Sequence, residues 1–343
     1  MKQHLNTLFV ATEGAYLAKD GEAVAVRVDD EVRLRVPLHH LGGIVCFGNV
    51  GCSPWLMGAC AEADVAISFL TTNGRFLASV RGFAPGNVLL RREQYRRADD
   101  VAVTLAFVRN VVAAKVANSR TVLLRGARDY PLSAGRAGLQ EAAAKLARCI
   151  AQAQHASAVD AARGIEGESA SIYFGVFNQL ISAQHEDFAL NGRNRRPPLD
   201  PVNALLSFLY TVLAHDARSA CECAGLDAAV GFLHRDRPGR PGLALDLMEE
   251  FRAFLVDRLV LSLINRQQVK PAGFRRRDTG GIEMDDQTRK TVLTAYQERK
   301  QDKITHPFLG EEVTVGLLVH LQARLLARHL RGDLDSYPPF IWR

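Results

Sequence analysis

The sequence predicts an α+β protein: a small N-terminal β domain, β-sandwich-like, followed by a larger all-α domain. Three observations carry that prediction. Residues 23–36 alternate apolar and polar side chains with period two on either side of Asp29-Asp30. Gly82-Phe83-Ala84-Pro85-Gly86 then has the composition of a linker. Beyond it, apolar residues recur mostly at helical spacing through the 343-residue chain. These place the domains at 1–85 and 86–343, in keeping with a length that exceeds one ordinary domain.

In the first domain, Ala23–Val28 and Val32–Val36 make a hairpin around Asp29-Asp30, and Ile44–Phe47 makes a further strand. Pro54–Ala63 reads as a short helix with Ser53 as N-cap and Pro54 in the first helical position. Val65–Leu70 and Arg75–Val80 flank Asn73-Gly74, a strong hairpin-turn pair. In the second domain, Arg91, Arg92, Arg96 and Arg97 open a long helix. Val101–Asn118 and Leu139–Ala156 follow as helices, and Ile172–Ala183 continues one that begins near Glu166. Asp200 caps a helix over Pro201–Ala214, with Pro201 at its first position. Leu243–Arg258 reads as one amphipathic helix, and two more lie around Asp286–Lys300 and Thr314–Arg331.

Charge is unevenly spread. Residues 1–85 hold 7 Lys/Arg against 8 Asp/Glu, and the remainder 36 against 29, so the net +6 lies in the later part. A polyanion would bind there. None of the six cysteines forms a CxxC pair, Cys221-x-Cys223 is a poor zinc spacing, and no disulfide framework follows. No stretch approaches the roughly 20 apolar residues of a membrane span, and Met1–Asn6 lacks a signal-peptide core. The expectation is a cytoplasmic protein with no membrane association.

Chemistry concentrates between Arg163 and Arg252. Glu166 lies in Arg163-Gly164-Ile165-Glu166-Gly167, where glycines let a ligand approach. Asn191–Pro201 is a basic, proline-bearing connector with Arg193, Arg195 and Arg196. His234 ends Gly231-Phe232-Leu233-His234, and the next helix carries Asp246, Glu249, Glu250 and Asp257 on one stripe. Separately, each has an ordinary explanation: a solvated acidic face, a structural histidine, a glutamate paired with Arg163. Together, an imidazole and carboxylates suit a hard or borderline divalent ion with open positions.

These segments, with Arg196-Pro197-Pro198-Leu199-Asp200-Pro201-Val202-Asn203-Ala204-Leu205-Leu206, Leu245–Arg252 and Gln322–Ala327, resemble in order and spacing the universal CRISPR-associated integrase family. Its members are metal-dependent DNA nucleases and integrases of spacer acquisition, and the overall pattern is most similar to the version in subtype C of the type I systems. The resemblance implies an N-terminal dimerisation domain and a C-terminal catalytic, DNA-binding domain. It implies that Glu166, His234 and Glu249 are catalytic and hold Mg²⁺ or Mn²⁺, with Asp246 in support. Many members have Asp at the third ligand position, and Glu249 is preferred to Glu250 on its spacing from Asp246. Arg193, Arg195, Arg196, Asn203, Tyr210 and Arg252 would contact DNA. The expected partners are double-stranded or branched DNA or DNA with free 3′ ends, a second copy in a homodimer, and a small ferredoxin-like CRISPR-associated companion. The activity implied is insertion of short DNA into a repeat array by 3′-hydroxyl attack on a phosphodiester. The alternatives are a non-catalytic DNA-binding scaffold and a structure-selective endonuclease outside immunity.

Overall fold

A computed structural model describes residues 6–63, 65–72, 76–80, 82, 88–129, 135–194, 197–278 and 280–342. The Asn73-Gly74 turn, residues 83–86 of the linker, and Arg195 and Arg196 lie outside that set.

The N-terminal strands are β1 (Asn6–Val10), β2 (Tyr16–Asp20), β3 (Ala23–Val28), β4 (Glu31–Pro37), β5 (Leu41–Phe47), β6 (Gly51–Cys52), β7 (Ala66–Leu70) and β8 (Phe76–Val80), with helix α1 (Pro54–Glu62) between β6 and β7. They form two four-stranded sheets, ordered β1-β5-β7-β8 and β4-β3-β2-β6. Asp29 and Asp30 take φ of 51° and 61°, the left-handed pair that a two-residue hairpin requires, and β3 pairs antiparallel with β4. The first sheet is not a meander, because β1, β5 and β7 run parallel. Parallel neighbours need a crossover, and α1 lies on the connection from β5 to β7. The unbroken apolar run Ile44–Phe47 is buried along its length, as parallel strands covered on both faces are. Leu17 and Val24 from one sheet, Ile44 and Ile67 from the other, and Leu56 and Cys60 from α1 share one core cluster. Ser53 Oγ accepts from the Leu56 amide at 3.2 Å, and Pro54 opens the helix as its sequence predicts.

The rest of the chain contains α2 (Val88–Asp99), α3 (Val101–Asp129), α4 (Arg136–Gln154), α5 (Val159–Gly175), α6 (Pro201–Cys223), α7 (Gly242–Glu249) and α8 (Arg258–Asn265). A hairpin of β9 (Phe274–Arg276) and β10 (Ile282–Met284), then α9 (Asp286–Gln301), the pair β11 (Lys303–Thr305) and β12 (Glu312–Thr314), and α10 (Leu318–Leu330) complete it. Two compact units result: one of Met1–Gly86 with Asp286–Asp302 and Val315–Leu317, and one of Asn87–Asp285, Lys303–Thr314 and Leu318–Arg343. The division is therefore not one cut after residue 85, since α9 joins the first unit.

Four helix readings need correction. The helix from Val101 runs on to Asp129. It is long and apolar enough, by length and composition, to cross a membrane: an 18-residue window has mean hydropathy 1.4, and half of that window is buried. The polar run Asn118-Ser119-Arg120-Thr121, where the apolar pattern breaks, hid this length in the sequence. Glu166 sits in the middle of α5 rather than at a helix start, and α5 ends at Gly175. The helix from Pro201 runs to Cys223. Leu243–Arg258 is not one regular helix either, because α7 gives way to a π-helical segment, Arg252–Asp257, before α8. Such a segment shifts the phase of every later side chain, and π-turns gather at functional sites.

Candidate functional site

The acidic stripe from Asp246 to Asp257 is not solvated. Asp246, Glu249, Glu250 and Asp257 are 0%, 3%, 0% and 2% exposed, so each must have a partner. Their partners differ, and those differences define the site.

Asp246 receives four donors. Its Oδ2 accepts from the amides of Phe232 (2.6 Å) and Leu233 (2.9 Å). Its Oδ1 accepts from the amide of His234 at 2.9 Å and lies 2.7 Å from His234 Nδ1. A carboxylate there fixes the ring proton on Nδ1 and leaves Nε2 as the coordinating nitrogen. The expected supporting acid thus acts through the imidazole and the loop that carries it. Glycine makes the approach possible: a Cβ on Gly231 would stand 2.7 Å from the Gly242 carbonyl carbon and 2.9 Å from Asp246 Oδ2. Arg163 closes the loop from the other side, donating to the Leu233 carbonyl at 2.7 Å. It pairs with Asp160 at 2.5 Å, so Glu166 takes its cation elsewhere.

That cation is Lys115 of α3. Its Nζ forms an ion pair with Glu166 Oε1 and lies 2.7 Å from Glu249 Oε2. Glu249 also binds Arg252 Nη1 at 2.7 and 3.1 Å, and His234 Nε2 stands 4.0 Å from Glu249 Oε1. Burial opposes ionisation of Glu249, but Arg252, Lys115 and His234 outweigh it and hold the carboxyl below its usual range. Glu249 therefore joins the other two predicted residues, Glu166 through Lys115 and His234 across a short gap. Among the described residues no three His, Cys, Asp or Glu side chains stand gathered as a finished metal cage. The donor set nevertheless fits a hard divalent ion: two carboxylates already share one cation, and an oriented imidazole is next to them.

Glu250 faces away. Its carboxylate accepts from Tyr337 Oη (2.6 Å), the Phe340 amide (2.6 Å) and Gln322 Nε2 (3.0 Å). Burial, with no cationic partner among the described residues, pushes its carboxyl up to about 7. The geometry selects Glu249 over Glu250 for the site, because Glu250 ties the C-terminal segment to α7.

A cavity of about 470 Å³ opens beside the site, lined by Lys115, Glu166, Tyr173, Arg193, Arg252 and Asp257 among others. Arg193 reaches it from the connector, held by Asn203 Oδ1 at 2.5 Å and lying 5.4 Å from the Tyr210 ring centroid. Arg252 lies 4.2 Å from the same ring. Two residues expected on DNA lie inside the protein. Asn203 is fully buried, and its side-chain nitrogen donates to Asp200 and the Gly192 carbonyl, so it shapes the loop that carries Arg193. Tyr210 donates its hydroxyl to Asp257 at 2.5 Å, and burial followed by the Asp257 charge drives its pKa well up. It supports the two arginines rather than presenting a free ring. Burial likewise pushes Asp257 up to about 6.

Sequence reading missed Lys115 and the C-terminal clamp. A signal for the lysine existed, since a lone charge inside Val111-Val112-Ala113-Ala114-Lys115-Val116 must find an acid when the helix is buried. Nothing in Tyr337-Pro338-Pro339-Phe340 pointed to Glu250.

Residues 8–298 match the family described as CRISPR associated protein Cas1. The chain is 55% identical over 343 residues to CRISPR-associated endonuclease Cas1 1 of Chlorobaculum tepidum, with all of both chains covered. Two solved structures share the fold. A Cas1 protein from Thermotoga maritima gives a TM-score of 0.81 at 22% identity, over 95% of this chain and 97% of that one. A casposase bound to integration product gives 0.84 at 21% identity, over 98% and 94%. With most of its length matched by the family and a full-length relative above half identity, the chain belongs to the Cas1 family of CRISPR-associated proteins.

Proposed function

We propose that this protein is a metal-dependent DNA endonuclease and integrase that joins a 3′-hydroxyl of short DNA to a phosphodiester of a repeat. The observation that carries the reading is the Glu166–Lys115–Glu249 arrangement with His234 oriented beside it. Glu166, Glu249 and His234 Nε2 are the groups that would hold Mg²⁺ or Mn²⁺. Bound there, the ion would polarise the phosphoryl oxygens and favour the attacking alkoxide.

The chain's own residues do the rest. Asp246 keeps the His234 ring in one tautomer, and Arg252 keeps Glu249 ionised and aimed. Arg193, on the cavity wall, is placed to bind a phosphate of the DNA end. The cations around the cavity oppose the negative charge that grows on the phosphate in the transition state. Arg195 and Arg196, on the same connector, would extend the phosphate contacts. The working assembly is a homodimer through the N-terminal domain, joined by a small ferredoxin-like companion and acting in the cytoplasm. The endonuclease name of the 55% identical relative and the integration product held by a casposase of the same fold support this reading.

One observation favours a second reading, a non-catalytic DNA-binding scaffold: Lys115 already neutralises the carboxylates. Purified protein with Mn²⁺, a duplex bearing free 3′ ends and a supercoiled plasmid separates the two. Integration requires joined product that chelator removes and that Glu166→Ala, His234→Ala and Glu249→Ala each abolish. Full joining by Glu166→Ala would overturn the assigned site. Chelator-insensitive DNA binding with no joined or cut product would establish the scaffold.

A further inference from the structure

The lysine between the two carboxylates has no counterpart among the residues that the sequence singled out. Lys115 lies on α3 within the apolar stretch of residues 111–116, with its side chain 11% exposed. Its ammonium contacts Glu166 and Glu249 from a helix that supplies no other group to the carboxylate pair. Two carboxylates sharing a partly buried site repel unless a cation stands between them, and the lysine meets that need within the chain itself.

Mg²⁺ binds oxygen at about 2.0–2.1 Å. An ammonium 2.7 Å from Glu249 Oε2, and in contact with Glu166, fills the space between the two carboxylates. A divalent ion shared by them would also face a positive charge at contact range. The ion and the ammonium exclude each other. We propose that Lys115 is a tethered counter-ion that closes the Glu166/Glu249 pair in the metal-free protein, competes with the divalent ion for it, and is displaced into the adjoining cavity when the ion loads. This rests on the metal reading of the site given above.

The structure supplies a place for the displaced group. Lys115 lines the cavity together with Ser119, Ser169 and Tyr173. The buried Tyr173 hydroxyl faces the Asp257 carboxylate and accepts from no donor among the described residues, so an ammonium there would give its oxygen a donor and would meet an acid. The four-carbon stem of lysine allows that movement without a change in the helix. From the cavity the charge would face a bound phosphate, so ion loading and substrate affinity would rise together.

The test measures Mn²⁺ binding by electron paramagnetic resonance and calorimetry, independently of activity. Lys115→Met keeps the volume and removes the charge. It is expected to bind Mn²⁺ at least tenfold more tightly than wild type and to melt lower without metal, with Mn²⁺ restoring the melting temperature. Unchanged or weaker binding would overturn the proposal. Should the variant not fold, wild-type protein still decides. Mn²⁺ is expected to raise acylation of Lys115 several-fold in mass-spectrometric labelling, and labelling that Mn²⁺ leaves unchanged would contradict displacement. A wild-type protein that binds no Mn²⁺ would count against the metal reading itself, whereas Mn²⁺ binding without the Lys115 effects would count against this inference alone.

Discussion

Glu249 and Glu250 are consecutive, both buried, and opposite in character. Glu249 faces Lys115, Arg252 and His234, and those charges keep it ionised despite its burial. Glu250 meets a phenol, an amide side chain and a backbone N–H, with no cation among the described residues, and burial pushes it up to about 7. The same side chain in two settings gives one residue suited to an ion and one suited to fastening a chain segment. Residue type and spacing do not decide between them, but the neighbouring charge does.

The widest separation between the pair is in function. Glu249→Ala is expected to lose Mn²⁺ binding and DNA joining by at least about a thousandfold, and to destabilise the fold by about 3 kcal/mol, because Lys115 and Arg252 lose a buried partner. Glu250→Ala is expected to keep Mn²⁺ binding while loosening the C-terminal segment, read as faster hydrogen exchange over 337–342. Equal loss of Mn²⁺ binding in both variants would erase the distinction.

The second separation is in pH. Glu250 has a folded pKa raised above its ordinary 4.5, so its contribution to stability is complete below about pH 4.5 and is lost as pH rises to about 7. Glu249 has a lowered folded pKa, so its contribution is present above pH 4.5 and is lost only as pH falls below that value. Denaturant titrations from pH 4.5 to 7 should show Glu250→Gln lacking a decline on the order of 3 kcal/mol that wild type has. Parallel curves for the two proteins would mean that Glu250 is no more buried from charge than an ordinary glutamate.

How far the sequence could be read follows the same division. Features set by local chemistry were legible: the Asp29-Asp30 turn, the Ser53 and Asp200 caps, and the apolar stripes. The candidates Glu166, His234 and Glu249 came from the order and spacing of motifs, which preserve which segments exist. Partners contributed by distant segments were not legible: a lone lysine in an apolar stretch signals that it needs an acid but not which one, because an ion pair leaves no period in the chain. Lys115 is 51 residues before Glu166, and Tyr337 is 87 after Glu250. The π-helical segment was also invisible, since its residues Arg252–Asp257 have ordinary helix-compatible types.

Smaller effects sharpen the account. Asp246→Asn places an amide against three backbone N–H donors and the His234 ring, and should weaken Mn²⁺ binding about 10–100-fold. An unchanged affinity would mean that ring orientation does not matter. Tyr337→Phe removes one hydrogen bond to Glu250 at about 1 kcal/mol, measurable as a lower melting temperature with Mn²⁺ affinity intact. Arg193→Ala should reduce the salt dependence of DNA binding by about one phosphate contact, and an unchanged slope would remove Arg193 from the DNA interface.

The most direct test is a crystal structure with Mn²⁺ located by anomalous diffraction. The account predicts the ion between Glu166 and Glu249, within coordinating reach of His234 Nε2, with the Lys115 ammonium moved into the cavity. Manganese absent from that position, while Lys115 still bridges the two carboxylates at saturating Mn²⁺, would contradict it.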